Sequence, residues 1–154
     1  MSKANNATNR TLTIKKVIEA PVKLVWEAWT NSDHVVQWWA PPGMKINVVE
    51  HSFKVGGKWK YTMPIPGNLF ISEGTYLEID PNKKIITTAD FKPMTEGVEL
   101  HVEFEADGDK TNFTFSVIHA TEEYCKQQDK MGFYNGWGSA FTRMESVIMN
   151  QLKK

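Results

Sequence analysis

Between residues 44 and 120, segments in which apolar and polar residues alternate constrain the fold more than any other feature of this sequence. Turn sequences such as Gly56-Gly57 and Asp107-Gly108-Asp109 separate about six such segments, and no helical pattern intervenes. Because side chains alternate between the two faces of a strand, the pattern predicts an antiparallel sheet with one buried face. The clearest alternation places apolar residues at Val98, Leu100, Val102 and Phe104.

A first strand and two short helices are predicted before this region. Residues 11–19 alternate as a strand, and residues 21–30 then carry apolar side chains at helical spacing. Asn31 or Ser32 can cap a second short helix, which Ala40-Pro41-Pro42-Gly43 ends.

One long helix is predicted after the strands. It begins at Thr121, whose side chain can cap it. Gly132, Gly136 and Gly138 lie inside it, and each costs about 1 kcal/mol relative to alanine in a helix interior. Close packing of the helix backbone on the sheet is the more ordinary way to offset that cost, and an opening at a cavity is the other. The apolar stripe of the helix consists of Tyr134, Trp137, Phe141, Met144, Ile148 and Leu152.

A helix with one apolar stripe must cover an apolar sheet face. The sequence therefore predicts an α+β fold in which a curved antiparallel sheet wraps around a long C-terminal helix. A sheet curved in this way can leave space between itself and the helix. We expect residues 1–10 to form a disordered tail and residues 11–154 to form a single domain.

Composition excludes several classes of partner. Lys and Arg number 18 and Asp and Glu number 18, and zero net charge argues against nucleic acid and anionic lipid as partners. No apolar run approaches the roughly 20 residues that span a bilayer, and residues 1–10 lack the apolar segment of a secretion signal. Cys125 is the single cysteine, so no internal disulfide can form. We therefore expect a cytoplasmic protein that does not engage membranes.

No pattern of catalytic or metal-binding residues stands out. Ser139 lacks the Gly-x-Ser-x-Gly elbow of hydrolases, and Cys125 has no evident base partner, although a helix N-terminus could lower its pKa. The histidines are far apart in the sequence and have no metal-ligand spacing; they are His34, His51, His101 and His119. We assign no catalytic residue and expect no metal and no cofactor.

Glu73 is the ionisable residue that strand alternation places towards the core. It shares its parity with four apolar residues of the same segment, Leu69, Ile71, Leu77 and Ile79. An inward carboxylate could orient a polar ligand group or act as a general acid or base. A bulge near Gly74 would instead return Glu73 to solvent.

The tryptophans allow two interpretations. They can fill a core, or they can line a pocket in which Trp38-Trp39 forms part of the rim. The six are Trp26, Trp29, Trp38, Trp39, Trp59 and Trp137.

Several short motifs, taken in order, resemble one known family. They are Ala20-Pro21 with Val25-Trp26, Trp38-Trp39-Ala-Pro41, Gly56-Gly57-Lys-Trp59, Gly74-x-x-x-Glu78-Ile-Asp80-Pro81, and Gly136-Trp137. Together they resemble the family named after the C-terminal domain of the activator of the heat-shock-protein-90 ATPase, in the START-like (SRPBCC) superfamily. The segment from Met131 to Gly138 is similar to that of a bacterial subgroup of single-domain members.

The resemblance implies the helix-grip fold, with a cavity between the sheet and the C-terminal helix. It also implies binding of lipids, sterols, polyketides or other apolar molecules, as in the superfamily, and it supplies no shared catalytic residue. We expect the chain to bind a small hydrophobic or amphipathic molecule, and we lean against an enzyme.

Two alternatives remain open: a cyclase-like or hydrolase-like enzyme that uses the same cavity, and a module that contacts a chaperone. The expected partner is a small apolar molecule, and the oligomeric state is left open. The expected ligand-binding residues are Trp59, Tyr61, Glu73, Phe104, Phe115, Tyr134, Trp137, Phe141 and Met144, with Glu73 as the polar anchor.

Overall fold

Seven antiparallel strands form one sheet in the computed structural model of this chain, which describes residues 10–39, 45–92 and 95–152. The strand order across the sheet is β1-β7-β6-β5-β4-β3-β2, so β1 and β2 are its edges. The strands are β1 (Thr11–Ile18), β2 (Asn47–His51), β3 (Lys58–Ile65), β4 (Asn68–Asp80), β5 (Lys84–Lys92), β6 (Thr95–Asp107) and β7 (Lys110–Ile118).

Two short helices, α1 (Val22–Thr30) and α2 (Ser32–Trp38), connect β1 to β2. Pro21 precedes α1 with a φ of −60°, the value that its ring fixes, and its missing N–H costs no hydrogen bond at the start of a helix. Asn31 separates the two helices, and its side-chain oxygen accepts a hydrogen bond from the backbone N–H of Asp33. Asn31, not Ser32, is therefore the cap of α2. The predicted end of this helix at Ala40-Pro41-Pro42-Gly43 lies outside the described residues.

The C-terminal part contains two helices, α3 (Glu122–Lys130) and α4 (Phe133–Val147), and a π-helical last turn (Ile148–Leu152). Thr121 caps α3 as expected, since its hydroxyl accepts from the N–H of Tyr124 at 3.0 Å. The long helix is confirmed, but it begins at Phe133 and not at Thr121. Gly132 interrupts the helical path with a φ of +94°, a left-handed conformation that glycine adopts at little cost.

The core lies between the inner face of the sheet and α4. Alternate residues of β6 and β7 face inward, as the sequence predicts, and they pack with Phe141, Met144 and Ile148. The α+β helix-grip architecture is thus confirmed. Helices α1 and α2 close the space beside α4, and each helix in the described ranges is too short or too polar to span a membrane. The inward residues of the two strands are Val98, Leu100, Val102, Phe104, Phe113, Phe115 and Val117.

The register of β4 overturns the prediction that Glu73 faces inward. Ser72 lies opposite Tyr61 and Phe91 on the buried face, so Glu73 lies on the outer face, where its carboxylate is 3.2 Å from Nζ of Lys92. An irregularity in the pairing between Tyr76 and Glu78 accounts for the count made from Ile79, whereas Leu69 and Ile71 precede the irregularity and alternate with Ser72 as Glu73 does. An extra residue in one strand moves the side chains that follow it to the opposite face of the sheet. Counting back in steps of two from an inward residue after the irregularity therefore assigns the wrong face to Glu73. Leu69 and Leu77, which share the parity of Glu73, are exposed accordingly.

Arg10 is the first described residue and contacts the end of β7. Its guanidinium donates to the carbonyl oxygen of His119 at 2.6 Å, and its own carbonyl accepts from the backbone N–H of His119. The remainder of the predicted tail, residues 1–9, lies outside the described residues.

Candidate functional site

A cavity of about 370 Å³ lies between the sheet and the two C-terminal helices. Strands β3, β4 and β5 form one wall, and the junction of α3 with α4 forms the opposite wall. Its volume is near the lower end of the roughly 300–1,000 Å³ typical of small-molecule sites. The described residues that line it are Trp39, Ile46, Tyr61, Thr62, Met63, Phe70, Ser72, Phe91, Gln128, Met131, Gly132, Phe133, Gly136, Trp137 and Ala140.

Glycines shape the helical wall. Gly132 breaks the helical path between α3 and α4, and Gly136 lies one turn into α4. A Cβ atom added at Gly136 or at Gly138 would meet no atom within 4 Å, apart from its own helix backbone. The expectation that these glycines pack closely on the sheet is therefore wrong, and the second explanation, an opening at a cavity, fits Gly136.

Trp39 is the central aromatic residue of the cavity. Its ring lies 5.5 Å from that of Tyr61 and 5.5 Å from that of Trp137, both in edge-to-face arrangements. Its indole N–H donates to the hydroxyl of Ser72 at 3.3 Å, which joins the segment after α2 to β4. Edge-to-face pairs of this kind are favourable because the positive ring edge meets the negative ring face.

Trp38, next in the chain to Trp39, has a different role. It is fully buried, and its indole N–H donates to the carbonyl oxygen of Ala28 at 2.9 Å. The Trp38-Trp39 pair is therefore divided: one indole belongs to the core and the other to the cavity wall.

A hydrogen-bonded chain runs from the cavity wall to α1. The hydroxyl of Tyr61 is 2.9 Å from Nδ1 of His51, and Nε2 of His51 is 2.9 Å from the carbonyl oxygen of Thr30. A carbonyl only accepts, so Nε2 carries a proton and donates it to Thr30; the ring nitrogen Nδ1 and the hydroxyl of Tyr61 share the other hydrogen bond. Burial, and secondarily the charge of Tyr76, raises the pKa of Tyr61, so its hydroxyl stays protonated.

Gln128 presents the unusual polar group of the site. It lies on α3 at the cavity wall, and its amide Nε2 is buried without a hydrogen-bond partner among the described residues. A buried donor that lacks an acceptor costs about 1–3 kcal/mol.

The described part of the wall contains no Asp, Glu, Lys, Arg or His. A charged ligand group would therefore lose its water shell in the cavity without gaining a partner of opposite charge. Across the described residues, no group of three or more His, Cys, Asp or Glu side chains is placed to bind a metal ion.

Cys125 is not an activated nucleophile. It is the buried residue of α3, and burial, followed by the charges of Asp129 and Glu122, raises the pKa of its thiol. The thiol form is therefore favoured over the reactive thiolate, opposite to the effect that a helix N-terminus alone would have.

The structure separates the residues that the sequence proposes for the site. Tyr61 and Trp137 lie on the cavity wall, whereas Tyr134 is about half exposed and does not line the cavity, and Glu73 is on the outer face of the sheet. The other five face inward but pack within the core and do not line the cavity; they are Trp59, Phe104, Phe115, Phe141 and Met144. Trp59, for example, donates its indole N–H to the buried hydroxyl of Thr87 at 2.8 Å.

Several lining residues were not proposed from the sequence. Phe70 and Ser72 were missed because the sequence assigned the opposite face to their side of β4, and Phe91, on β5, was not proposed either. A local pattern could have indicated Gln128, since it follows buried Cys125 by three residues and so shares the same helix face.

The fold defines a helix-grip protein of the START-like superfamily, with its cavity between sheet and helix. A protein from Nitrosomonas europaea has this fold at 25% identity and a TM-score of 0.81, over 95% of this chain and 98% of that one. A Mycobacterium smegmatis protein matches at 23% identity and a TM-score of 0.82, over 93% of each chain. An AHSA1-like protein from Aeromonas hydrophila matches at 19% identity and 0.75, over 94% and 95%.

The chain belongs to the family of Activator of Hsp90 ATPase homolog 1-like proteins, whose model matches residues 19–149. No curated protein matches the sequence. The resemblance stated from the motifs is confirmed, and fold and family together support a ligand-binding or activator-like module.

Proposed function

We propose that this protein binds a small uncharged apolar molecule in the cavity between β3–β5 and the α3–α4 junction. The observation that carries the proposal is a cavity of about 370 Å³ with aromatic walls and no ionised side chain among the described lining residues. Apolar walls with a few polar groups are typical of sites for small ligands. Binding would remove apolar surface of both ligand and cavity from water, which is favourable.

A side chain at position 136 could occupy part of the cavity, but the residue there is glycine. Alanine at Gly136 would favour the helix by roughly 0.5–1 kcal/mol, and a Cβ there meets nothing. Retaining glycine on the wall therefore sacrifices helix stability and keeps volume in the cavity. Enzyme chemistry is not part of the proposal, because the carboxylate suggested from the sequence, Glu73, is outside the cavity and paired with Lys92.

Gly136→Leu and Gly138→Leu test the proposal as a matched pair. Both positions lie in α4 with open space at Cβ, but Gly136 lines the cavity and Gly138 does not. Both variants replace glycine by a better helix former, so both should fold. The probe is 2-acetylnaphthalene, a neutral two-ring ketone, titrated into ¹⁵N-labelled protein while the tryptophan indole N–H resonances are followed by NMR.

The resonance of Trp39 should shift on titration, and that of Trp38, whose indole is buried in the core, should move much less. Gly136→Leu should weaken binding about tenfold or more, equivalent to about 1.4 kcal/mol, while Gly138→Leu binds as the wild type does. Equal affinity in both variants, or no shift of Trp39 in the wild type, would contradict binding in this cavity.

A further inference from the structure

Helix α3 (Glu122–Lys130) is weakly attached to the rest of the domain. Seven of its nine residues are exposed, and Cys125 is the buried one. The hydroxyl of Thr121 caps the helix, and the ion pair of Lys126 with Glu122 lies within it. Among the described residues, no side chain of α3 forms a hydrogen bond or an ion pair with another element. Because a helix this short is not stable by itself in water, α3 depends on a small packed contact.

That contact contains an unfavourable group. The amide Nε2 of Gln128 is buried three residues after Cys125, on the same helix face, and it has no hydrogen-bond partner in the part of the chain that the structure describes. Burial of the Cys125 side chain favours the observed, closed position of α3. The unsatisfied amide favours an open position, in which water would accept its hydrogen bonds. Since the two effects oppose each other, the closed position is only weakly favoured.

The two ends of α3 allow it to move without α4. Ala120 and Thr121, which precede α3, belong to no helix or strand. After α3, Gly132 separates it from α4 with a left-handed φ of +94°, and glycine changes its backbone angles at little cost. Helix α4 remains packed on the sheet through side chains such as Phe141 and Met144, which are fully buried.

Movement of α3 would open the cavity, because Gln128 of α3 and the adjoining Met131 and Gly132 form part of its wall. We infer that α3 is a gate, which opens to admit a ligand to the cavity and closes behind it. The opening is a property of the fold, whereas its role in ligand entry rests on the proposed function.

The thiol of Cys125 reports the opening, since it is the single cysteine and is buried when α3 is closed. Its labelling by dithiobis(nitrobenzoate), a thiol–disulfide exchange, is followed at fixed pH between zero and about 1 M urea. Opening of α3 alone exposes little surface, so the labelling rate should rise less than about twofold over this range. A rise of about fivefold or more would mean that the thiol is reached only by global unfolding, and would exclude the gate.

Gln128→Met separates opening of α3 from direct attack on the thiol in the closed position. Methionine keeps the side-chain length and the helix propensity but removes the amide, so it should favour the closed position and slow labelling by about fivefold to thirtyfold. Gln127→Met, at an exposed neighbour that does not line the cavity, should label as the wild type does. Equal labelling rates in Gln128→Met and the wild type would overturn the inference.

A ligand connects the gate to the cavity. At about ten times its Kd, 2-acetylnaphthalene should slow labelling of Cys125 by roughly tenfold, because it stabilises the closed position. If the probe shifts the Trp39 resonance but leaves the labelling rate unchanged, α3 is not the gate, and binding in the cavity stands. If the probe does not shift Trp39, the proposed function itself fails, and the movement of α3 admits no ligand.

Discussion

Two ends of the same interface between the sheet and α4 contain similar residues but pack differently. At the closed end, defined by Trp29, Trp38, Phe113 and Phe141, the rings fill the space: Trp29 and Trp38 are 4.9 Å apart, and Phe113 and Phe141 are 5.0 Å apart. The open end is the cavity, where Trp39 and Trp137 also form an edge-to-face pair at 5.5 Å. Aromatic content therefore does not distinguish a solid core from a cavity.

The difference comes from the backbone that faces the sheet. At the closed end, α1 and α2 insert Trp29 and Trp38 between the sheet and α4. At the open end, Gly132 interrupts the helical path between α3 and α4, and Gly136 has no side chain. Helix interruption and a missing Cβ leave a volume that no neighbouring ring occupies.

The largest expected effect contrasts one phenylalanine from each end. Phe141→Ala removes a fully buried ring at the closed end and should lower the free energy of unfolding by about 3–5 kcal/mol. Phe70→Ala acts on a partly exposed ring at the cavity and should cost about 1–2 kcal/mol, within the usual range for single substitutions. Chemical denaturation measures both values. Equal losses would show that the open end is as tightly packed as the closed end.

The second prediction concerns the helix break. Gly132 has a φ of +94°, so Gly132→Ala should destabilise the fold by about 1–2 kcal/mol because of left-handed strain. Gly138→Ala serves as the control, because that position lies within α4 and has open space at Cβ. It should stabilise the fold by about 0.5–1 kcal/mol.

If Gly132→Ala lowers the free energy of unfolding and Gly138→Ala raises it, the left-handed backbone conformation of Gly132 is what separates α3 from α4. A stabilised Gly132→Ala would mean that α3 and α4 join into one helix, and the open end should then change shape, visible as a shift of the Trp39 indole resonance.

The sequence predicts the fold well because its determinants are local. Alternation in β6 and β7, the turn residues, and a cap at one of the two residues Asn31 and Ser32 each depend on a few neighbouring positions, and the structure has all three, with Asn31 as the cap. The resemblance carried by the short motifs adds the architecture, since their order reflects the helix-grip fold.

The site is harder to predict because it depends on registers and gaps. The register of β4 places Glu73 outward and Ser72 inward, although Leu69 and Ile71 share the face of Glu73, and nothing in the residues around Tyr76 requires the irregularity that follows. A cavity is an empty volume that depends on the packing of distant parts of the chain. The sequence alone therefore does not distinguish Phe115, which packs in the core, from Trp137, which lines the cavity.

The smallest expected effect is a pH dependence next to the open end. His119 is buried at the end of β7, its ring lies 6.4 Å from that of Phe133, and Nδ1 donates to the carbonyl of Arg10 at 3.0 Å. Burial lowers the pKa of His119 below its ordinary 6.5, and the bond to Arg10 opposes this only in part. The unfolded chain then binds more protons than the folded one near that pH. The free energy of unfolding should therefore fall as the pH falls through about 6.5 and below.

His119→Gln removes this titration and keeps a donor for the carbonyl of Arg10, so its stability should depend less on pH than that of the wild type. His101→Gln is the control, because His101 lies on the outer face of β6 beside Glu99. Denaturation measured from pH 7.5 to 5.5, with hydrogen exchange at α4, compares the three proteins. Because His119 contacts the first residue of α4, exchange should increase at the open end before the closed end, and a uniform increase would locate the sensitive histidine elsewhere.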